Sequence, residues 1–217
     1  MKVKPARLLN KLRAHDVNYK LVKGWDSASI DPYNGRSDFK GVLLHHTAGT
    51  NSLNYIVNTN PFAPVRACHF LVQRDGTVQV VSGVGAYHAG IGGAYKFSRL
   101  VTIPKDQGNR YLYGIEIESM GRTATIGNGE GAINIEQVVS TALLTAALLN
   151  AMRPTWKSLP VSRVIRHRDW TTRKPDVKQD LDWWHQVVGI ARRNRTDSAK
   201  AEREIRAFVK AHPKGIL

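Results

Sequence analysis

The chain has 217 residues, 42% of them hydrophobic, and a single cysteine. This length supports one domain with a substantial core, and a lone cysteine excludes an intramolecular disulfide. The formal net charge of +15 favours a polyanionic partner such as nucleic acid, an anionic membrane or a bacterial wall polymer, although a basic surface without a specific partner also fits. No apolar run approaches the roughly 20 residues that span a bilayer.

The first part of the chain predicts a helix, a strand and a loop. Residues 5–14 have a proline in the first turn and one leucine stripe, which is typical of a short amphipathic helix. Alternation over 17–21 predicts a half-buried strand, and residues 24–40 are rich in turn formers. The apolar run that ends in His45 and His46 then predicts a buried strand over 41–46, which delivers a side chain to a site at its C-terminal end.

The middle of the chain predicts a series of further strands. A helix beginning near 52–57 is expected to break at Pro61 and Pro64, and Cys68 opens the next strand. The Asp75-Gly76 pair predicts a hairpin turn into a strand over 78–81. A glycine-rich loop over 83–93 and another core strand over 111–118 follow.

The last part of the chain predicts mainly helices. Asn134 is expected to cap a long apolar helix that runs to about Met152 and stops before Pro154. A strand over 161–166 ends at His167, and helices are expected over 180–193 and from Asp197 or Ser198 onward. In the first of these, Trp183 and Trp184 are interpreted as packing residues rather than a carbohydrate platform.

This order of elements predicts an α/β fold with a mixed central β-sheet and helices packed on it. We expect residues 1–40 to pack on the core as an N-terminal helix, strand and loop. Residues 41–195 are expected to form the catalytic domain. Residues 196–217 are expected to form a basic C-terminal amphipathic helix, too short to be an independent domain.

Several motifs together resemble one known family. They are His45-His46-Thr-Ala-Gly, His69-Phe-Leu-Val-x-Arg-Asp-Gly-Thr, Tyr87-His88-Ala-Gly, Gly114-Ile-Glu-Ile-Glu, and His167 followed by Lys174-x-Asp176. Over residues 40 to 180 the chain resembles the type 2 zinc-dependent N-acetylmuramoyl-L-alanine amidases, the relatives of phage amidase lysins and peptidoglycan recognition proteins. The N-terminal helix and the Gly24-Trp25 loop are also similar to actinobacteriophage lysins.

The resemblance implies a role for each matching residue. His45, His167 and Asp176 match the zinc ligands, Glu116 matches the catalytic glutamate, and Lys174 matches the lysine that stabilises an oxyanion. Two histidines and one carboxylate suit zinc and leave a position for water, whose pKa then falls to about 7. The glutamate can transfer the proton, and the lysine can stabilise the developing negative charge.

Simpler interpretations stay open for the polar residues. His45 and His46 alternate along a strand, so at most one of them is expected to bind the metal, and His46 is interpreted as a packed histidine. Glu118 rather than Glu116 could be the catalytic glutamate. Lys174 could be an exposed loop residue, and Asp176 could cap a turn. His69 and His88 are expected to bind substrate, with a structural role in the core as the alternative for His69. Cys68 is interpreted as a small buried residue.

The resulting hypothesis is a zinc amidase that cuts peptidoglycan between N-acetylmuramic acid and L-alanine, as a monomeric phage endolysin. The basic N-terminus lacks the apolar segment of a secretory signal, which would suit an enzyme that stays in the host cytoplasm until it is released to the wall. The alternatives are a cytosolic muropeptide-recycling amidase and a non-catalytic peptidoglycan-binding module. A nucleic-acid-binding protein is suggested by charge alone, without a base-reading motif.

Overall fold

The computed structural model describes residues 3–61, 64–153 and 159–215. Met1 and Lys2, which begin the basic N-terminus, and Pro154, which is expected to follow the long apolar helix, lie outside these ranges. The described strands are β1 (Tyr19–Leu21), β2 (Gly41–His46), β3 (Phe70–Val72), β4 (Val78–Val80), β5 (Tyr95–Ser98), β6 (Val101–Ile103), β7 (Leu112–Ile117) and β8 (Val164–Arg166). The described α-helices are α1 (Pro5–Ala14), α2 (Gly108–Tyr111), α3 (Ile135–Ala151), α4 (His167–Trp170), α5 (Leu181–Arg193) and α6 (Ser198–Ala211).

The main sheet has six strands in the order β1-β4-β3-β7-β2-β8. All neighbouring pairs are parallel except β3 and β4, which form the hairpin expected at Asp75-Gly76. Because β7, β2 and β8 run side by side in the same direction, their C-terminal ends meet at one edge of the sheet. The prediction of a mixed central sheet is confirmed.

Helix α3 packs on one face of this sheet and is covered on its outer side by α1, α5 and α6. Apolar residues lie all round this helix, as expected for a helix enclosed on every side. Asn134 caps its start and forms a reciprocal capping box with Gln137, as predicted. Ile205 and Val209 of α6 belong to the same core, so the C-terminal helix packs on the domain.

The opposite face of the sheet is covered more lightly. Leu43, Leu112 and Ile165 project from it and pack with Trp170 of α4 and Ile103 of β6. Strands β5 and β6 form a separate antiparallel hairpin that the sequence analysis did not predict. This lighter cover leaves a cleft beside the C-terminal ends of β2, β7 and β8.

Other differences between the predicted and observed elements are small. The segment predicted as a helix from 52–57 contains a short π-helical turn at Tyr55–Thr59. The predicted strand over 161–166 begins with a 3-10 turn at Val161–Arg163, so only its second half joins the sheet. Among the described residues, no helix combines the length and the apolar character needed to cross a membrane.

Candidate metal and catalytic site

His45, His167 and Asp176 come together at the C-terminal edge of the sheet. His45 lies near the end of β2, His167 follows β8 directly, and Asp176 lies in the loop after α4. All three are buried, and one potential ligand atom of each lies within 4.8 Å of the others. The structure therefore brings together the three residues that the sequence analysis assigned to the metal.

The potential ligand atoms that lie closest together are the Nδ1 atoms of both histidines and Oδ2 of the aspartate. His45 Nδ1 lies 2.9 Å from His167 Nδ1 and 3.5 Å from Asp176 Oδ2. The His167 Nδ1 to Asp176 Oδ2 distance is 3.1 Å. Burial, the largest effect, lowers the pKa of His45 to about 4, so this imidazole is neutral at physiological pH. Burial alone would raise the pKa of Asp176, but the two neighbouring imidazoles lower it below its ordinary range.

The outer hydrogen bonds of the two imidazoles decide which nitrogen carries the proton. His167 Nε2 lies 3.2 Å from the Ala89 carbonyl oxygen, which can only accept, so Nε2 carries a proton and donates it there. His88 Nε2 likewise donates to the Leu112 carbonyl at 3.0 Å, which leaves His88 Nδ1 to accept from His45 Nε2 at 3.0 Å. His45 Nδ1, in a neutral ring, is then a lone-pair acceptor, and it faces His167 Nδ1 and Asp176 Oδ2.

Two imidazole nitrogens and a carboxylate oxygen thus converge at distances of 2.9 to 3.5 Å. Such a cluster offers ligands to a cation, and two imidazoles with one carboxylate form a donor set that zinc accepts. Hydrogen bonds from the outer imidazole nitrogens are also the usual way in which proteins orient metal-binding histidines. The residues present therefore fit a zinc ion.

Glu116 lies beside His45 on the neighbouring strand, since the two residues are paired in the parallel register of β2 and β7. Its Oε2 atom is buried and has no hydrogen-bond partner among the described residues. Burial and then the negative charge of Asp176 raise the pKa of Glu116 to about 8, an effect that Lys174 partly offsets. A carboxyl group with this pKa can accept and return a proton near neutral pH.

Glu118 is occupied elsewhere. It is buried, and its Oε1 atom accepts a hydrogen bond of 2.8 Å from the Ser52 backbone N–H. The structure therefore gives Glu118 a part in holding the loop after β2, whereas Glu116 faces the cleft. Glu116 remains the candidate catalytic carboxylate.

An open cleft of about 770 Å³ borders this cluster. Glu116, His167, Lys174 and Asp176 line it, as do Tyr87, His88, Asn109 and Arg173. Lys174, predicted to stabilise an oxyanion, is thus at the cleft wall. Arg173 joins two sides of the cleft because its Nη2 atom donates to the Ile91 carbonyl at 2.6 Å.

The other histidines differ in their access to the cleft. His88 lines the cleft, but both of its ring nitrogens have protein partners, so it supports His45 in addition to any contact with substrate. His69 is fully buried and accepts a hydrogen bond from the Gly114 backbone at 3.0 Å. This position fits the structural alternative for His69, and its contact with substrate stays a prediction. The ring of His46 packs closely against Gly121, where any side chain would collide with it.

Asn109 is a functional candidate that the sequence analysis missed. It lies in α2, and its Oδ1 atom accepts hydrogen bonds from the backbone N–H groups of His88 and Ala89 at 2.7 and 2.6 Å. A single asparagine in a turn carries no recognisable signal in one sequence. Only the folded chain brings it under the loop that contacts both metal-site histidines.

Comparison with known proteins agrees with the motif resemblance. A family model described as N-acetylmuramoyl-L-alanine amidase matches residues 35–179. A solved structure of PlyL has a TM-score of 0.46 and 16% sequence identity, and the match covers 84% of this chain and 98% of that chain. Among curated protein sequences, no significant match is found. The family model matches more than half of this chain. The chain therefore belongs to the N-acetylmuramoyl-L-alanine amidase family, whose members are enzymes that act on peptidoglycan.

Proposed function

We propose that this enzyme uses zinc to hydrolyse the amide bond between N-acetylmuramic acid and L-alanine in peptidoglycan. The observation that carries the proposal is the convergence of His45 Nδ1, His167 Nδ1 and Asp176 Oδ2 within 3.5 Å of one another. Membership of the amidase family supports the bond that is cut.

The metal site and Glu116 have distinct tasks in this reaction. When bound, zinc would polarise the amide carbonyl and make water a stronger nucleophile at neutral pH. Glu116 takes the proton from the water at its unpartnered Oε2 and later gives it to the leaving L-alanine nitrogen. This cycle requires a carboxyl pKa near the working pH, which the buried position of Glu116 favours.

Lys174 supplies a positive charge at the wall of the same cleft. Its charge acts on Glu116, where it opposes the rise in pKa caused by burial. In the proposed reaction it stabilises the negative charge that develops on the carbonyl oxygen as the tetrahedral intermediate forms. His88 presents its ring to the cleft and is the proposed contact for substrate on that side.

The decisive experiment measures new L-alanine amino termini released from purified peptidoglycan. The protein is assayed as purified, after chelation, and after chelation followed by added zinc, with His45→Ala as the inactive control. Release that is lost on chelation and restored by zinc would support the bond, the metal and the site together. Release that persists in the chelated protein or in His45→Ala would contradict the proposal.

The same assay separates the remaining alternatives. Cleavage of soluble muropeptides without cleavage of intact wall would favour a recycling amidase. A folded, zinc-loaded protein that binds wall but releases no amino termini would favour a binding module. Tight, steeply salt-dependent DNA binding together with a lack of cleavage would favour the nucleic-acid hypothesis.

We further propose that the enzyme acts as a monomeric phage endolysin that is held in the host cytoplasm until it is released to the wall. Support comes from the resemblance of the Gly24-Trp25 segment to actinobacteriophage lysins and from a net charge of +15, which attracts anionic wall polymers. Expression inside a susceptible host tests this role. Lysis is expected only when a separate pore permeabilises the membrane, and lysis without a pore would contradict the proposed confinement. Light scattering coupled to size-exclusion chromatography tests the monomer.

A further inference from the structure

The metal-site histidines donate their outer hydrogen bonds to two consecutive loop residues. His88 accepts from His45 Nε2 through its Nδ1 atom at 3.0 Å, and the Ala89 carbonyl accepts from His167 Nε2 at 3.2 Å. One short piece of backbone therefore fixes the orientation of both imidazoles. If this piece moves, both histidines lose the bond that keeps their Nδ1 lone pairs directed at the metal.

A single side-chain oxygen holds this piece of backbone in place. Asn109 Oδ1 accepts the N–H of His88 at 2.7 Å and the N–H of Ala89 at 2.6 Å. Ala89 is fully buried, so water has no ready access to replace a lost acceptor there. Removing the oxygen would leave two backbone donors without a partner, which favours a shift of the loop.

The position of Asn109 connects this support to the catalytic carboxylate. Asn109 lies in α2, which runs directly into β7, the strand that carries Glu116. The ring of His88 lies across the same strand, because its Nε2 atom donates to the Leu112 carbonyl at 3.0 Å. Asn109 is thus anchored on the element that presents Glu116 and holds the loop that orients His45 and His167.

We propose that Asn109 is a positioning residue of the metal site, which acts by accepting the two backbone N–H groups of His88 and Ala89. The proposal rests on the zinc site proposed above and adds a residue that acts on the metal ligands through the loop at His88 and Ala89. It predicts that loss of the acceptor oxygen lowers zinc affinity, and that the smaller size of the replacing side chain does not by itself account for that loss.

The experiment compares three variants of the full chain by zinc affinity, measured in competition with a chromophoric chelator. Asn109→Ala removes the acceptor, Asn109→Asp keeps an acceptor oxygen in the same place, and Asn58→Ala is a control. Asn58 is exposed and its side chain bonds only to the side chain of Asn54 among the described residues. We expect Asn109→Ala to lose zinc affinity by about 10- to 100-fold, and the other two variants to bind zinc like the unaltered protein.

A second measurement reports on the loop directly. Amide hydrogen exchange at His88 and Ala89 is expected to accelerate in Asn109→Ala and to stay slow in Asn109→Asp, whereas general destabilisation would accelerate exchange throughout the core. If Asn109→Ala does not fold, both measurements are made on Asn109→Gln instead. Its side chain is one methylene longer and displaces the acceptor oxygen.

The outcomes separate this inference from the proposed function. If the unaltered protein binds zinc and folded Asn109→Ala binds it equally well, the positioning role is wrong while the zinc site stands. If Asn109→Asp loses as much affinity as Asn109→Ala, the two backbone hydrogen bonds are not the cause, and the inference also fails. If the unaltered protein binds no zinc, the proposed function fails together with the inference.

Discussion

His45 and Glu116 lie opposite each other in the parallel register of β2 and β7. Opposite residues in neighbouring strands project from the same face of the sheet, so the proposed ligand and the proposed proton carrier lie side by side, His45 buried and Glu116 at the wall of the cleft. Burial, followed by the charge of Asp176, raises the pKa of Glu116 to about 8. The sheet register, rather than a flexible loop, thus sets the arrangement of these two groups.

The first prediction concerns the role of Glu116. Glu116→Gln keeps the shape of the side chain but cannot take up a proton, so we expect kcat to fall by about 100-fold or more. Zinc affinity is expected to change little, because Glu116 is not one of the grouped ligands. Steady-state kinetics on peptidoglycan and zinc competition, run on the same preparation, measure the two effects separately.

Glu118→Gln is the matched control for this prediction. Glu118 Oε1 accepts the Ser52 N–H at 2.8 Å, a bond that the amide oxygen of glutamine can keep, so Glu118→Gln is expected to lower stability by no more than about 1 kcal/mol and to leave most of the activity. An equal loss of kcat in both variants would contradict the assignment of Glu116. Full activity in Glu116→Gln would contradict it as well.

The second prediction concerns metal removal. An ion that binds the folded chain at His45, His167 and Asp176 stabilises it by about 2.7 kcal/mol when its free concentration is 100 times its dissociation constant. We therefore expect zinc to raise the unfolding temperature of the chelated protein and to have no such effect on Asp176→Ala. His185→Ala, which changes a histidine bonded to the Val164 carbonyl, is expected to keep the full response. The same zinc-induced rise in Asp176→Ala would place the metal elsewhere.

The third prediction concerns acid stability and His15. Burial, followed by the charges of Lys11 and Arg195, lowers the pKa of His15 from 6.5 to about 4. Between these values the unfolded chain binds a proton that the folded chain does not, so the free energy of unfolding must decrease as the pH falls from 6.5 to 4. This group alone accounts for up to about 3 kcal/mol of that decrease.

Replacing His15 with glutamine removes this titration. The free energy of unfolding of zinc-free His15→Gln is expected to change less between pH 6.5 and pH 4 than that of the unaltered zinc-free protein, as measured by urea denaturation. The variant loses the contact of 3.5 Å between His15 and Asn150, so the two curves are compared by slope rather than by absolute value. Parallel curves would show that His15 does not carry the effect.

The sequence allowed much of the fold and the grouping of His45, His167 and Asp176 to be predicted, because local chemistry marks them. Asn134 and Gln137 form the predicted capping box, and Asp75-Gly76 forms the predicted hairpin turn. The ordered motifs identified the family and the residues that meet at the strand ends. Alternation along β2 also separated His45 from His46.

Features that depend on long-range contacts could not be predicted in this way. The β5–β6 hairpin follows a glycine-rich loop. Its tip residue Leu100 is apolar but 94% exposed, so the apolar residues of this segment do not reliably mark a buried strand face. Alternation alone does not show whether His69 faces substrate or the core. Asn109 acquires its contacts only when α2 folds under the loop at His88.

The last prediction concerns the glycine of the Gly-Ile-Glu motif. A Cβ at Gly114 would collide with the His88 ring, which lies directly over this residue of β7. Gly114→Ala is expected to displace that ring and deprive His45 Nε2 of its acceptor, so zinc affinity should fall by about 10-fold or more. Gly93→Ala is the matched control, because a Cβ at Gly93 meets no atom within 4 Å. If folded Gly114→Ala binds zinc as tightly as Gly93→Ala does, the His88 ring is not needed to orient His45.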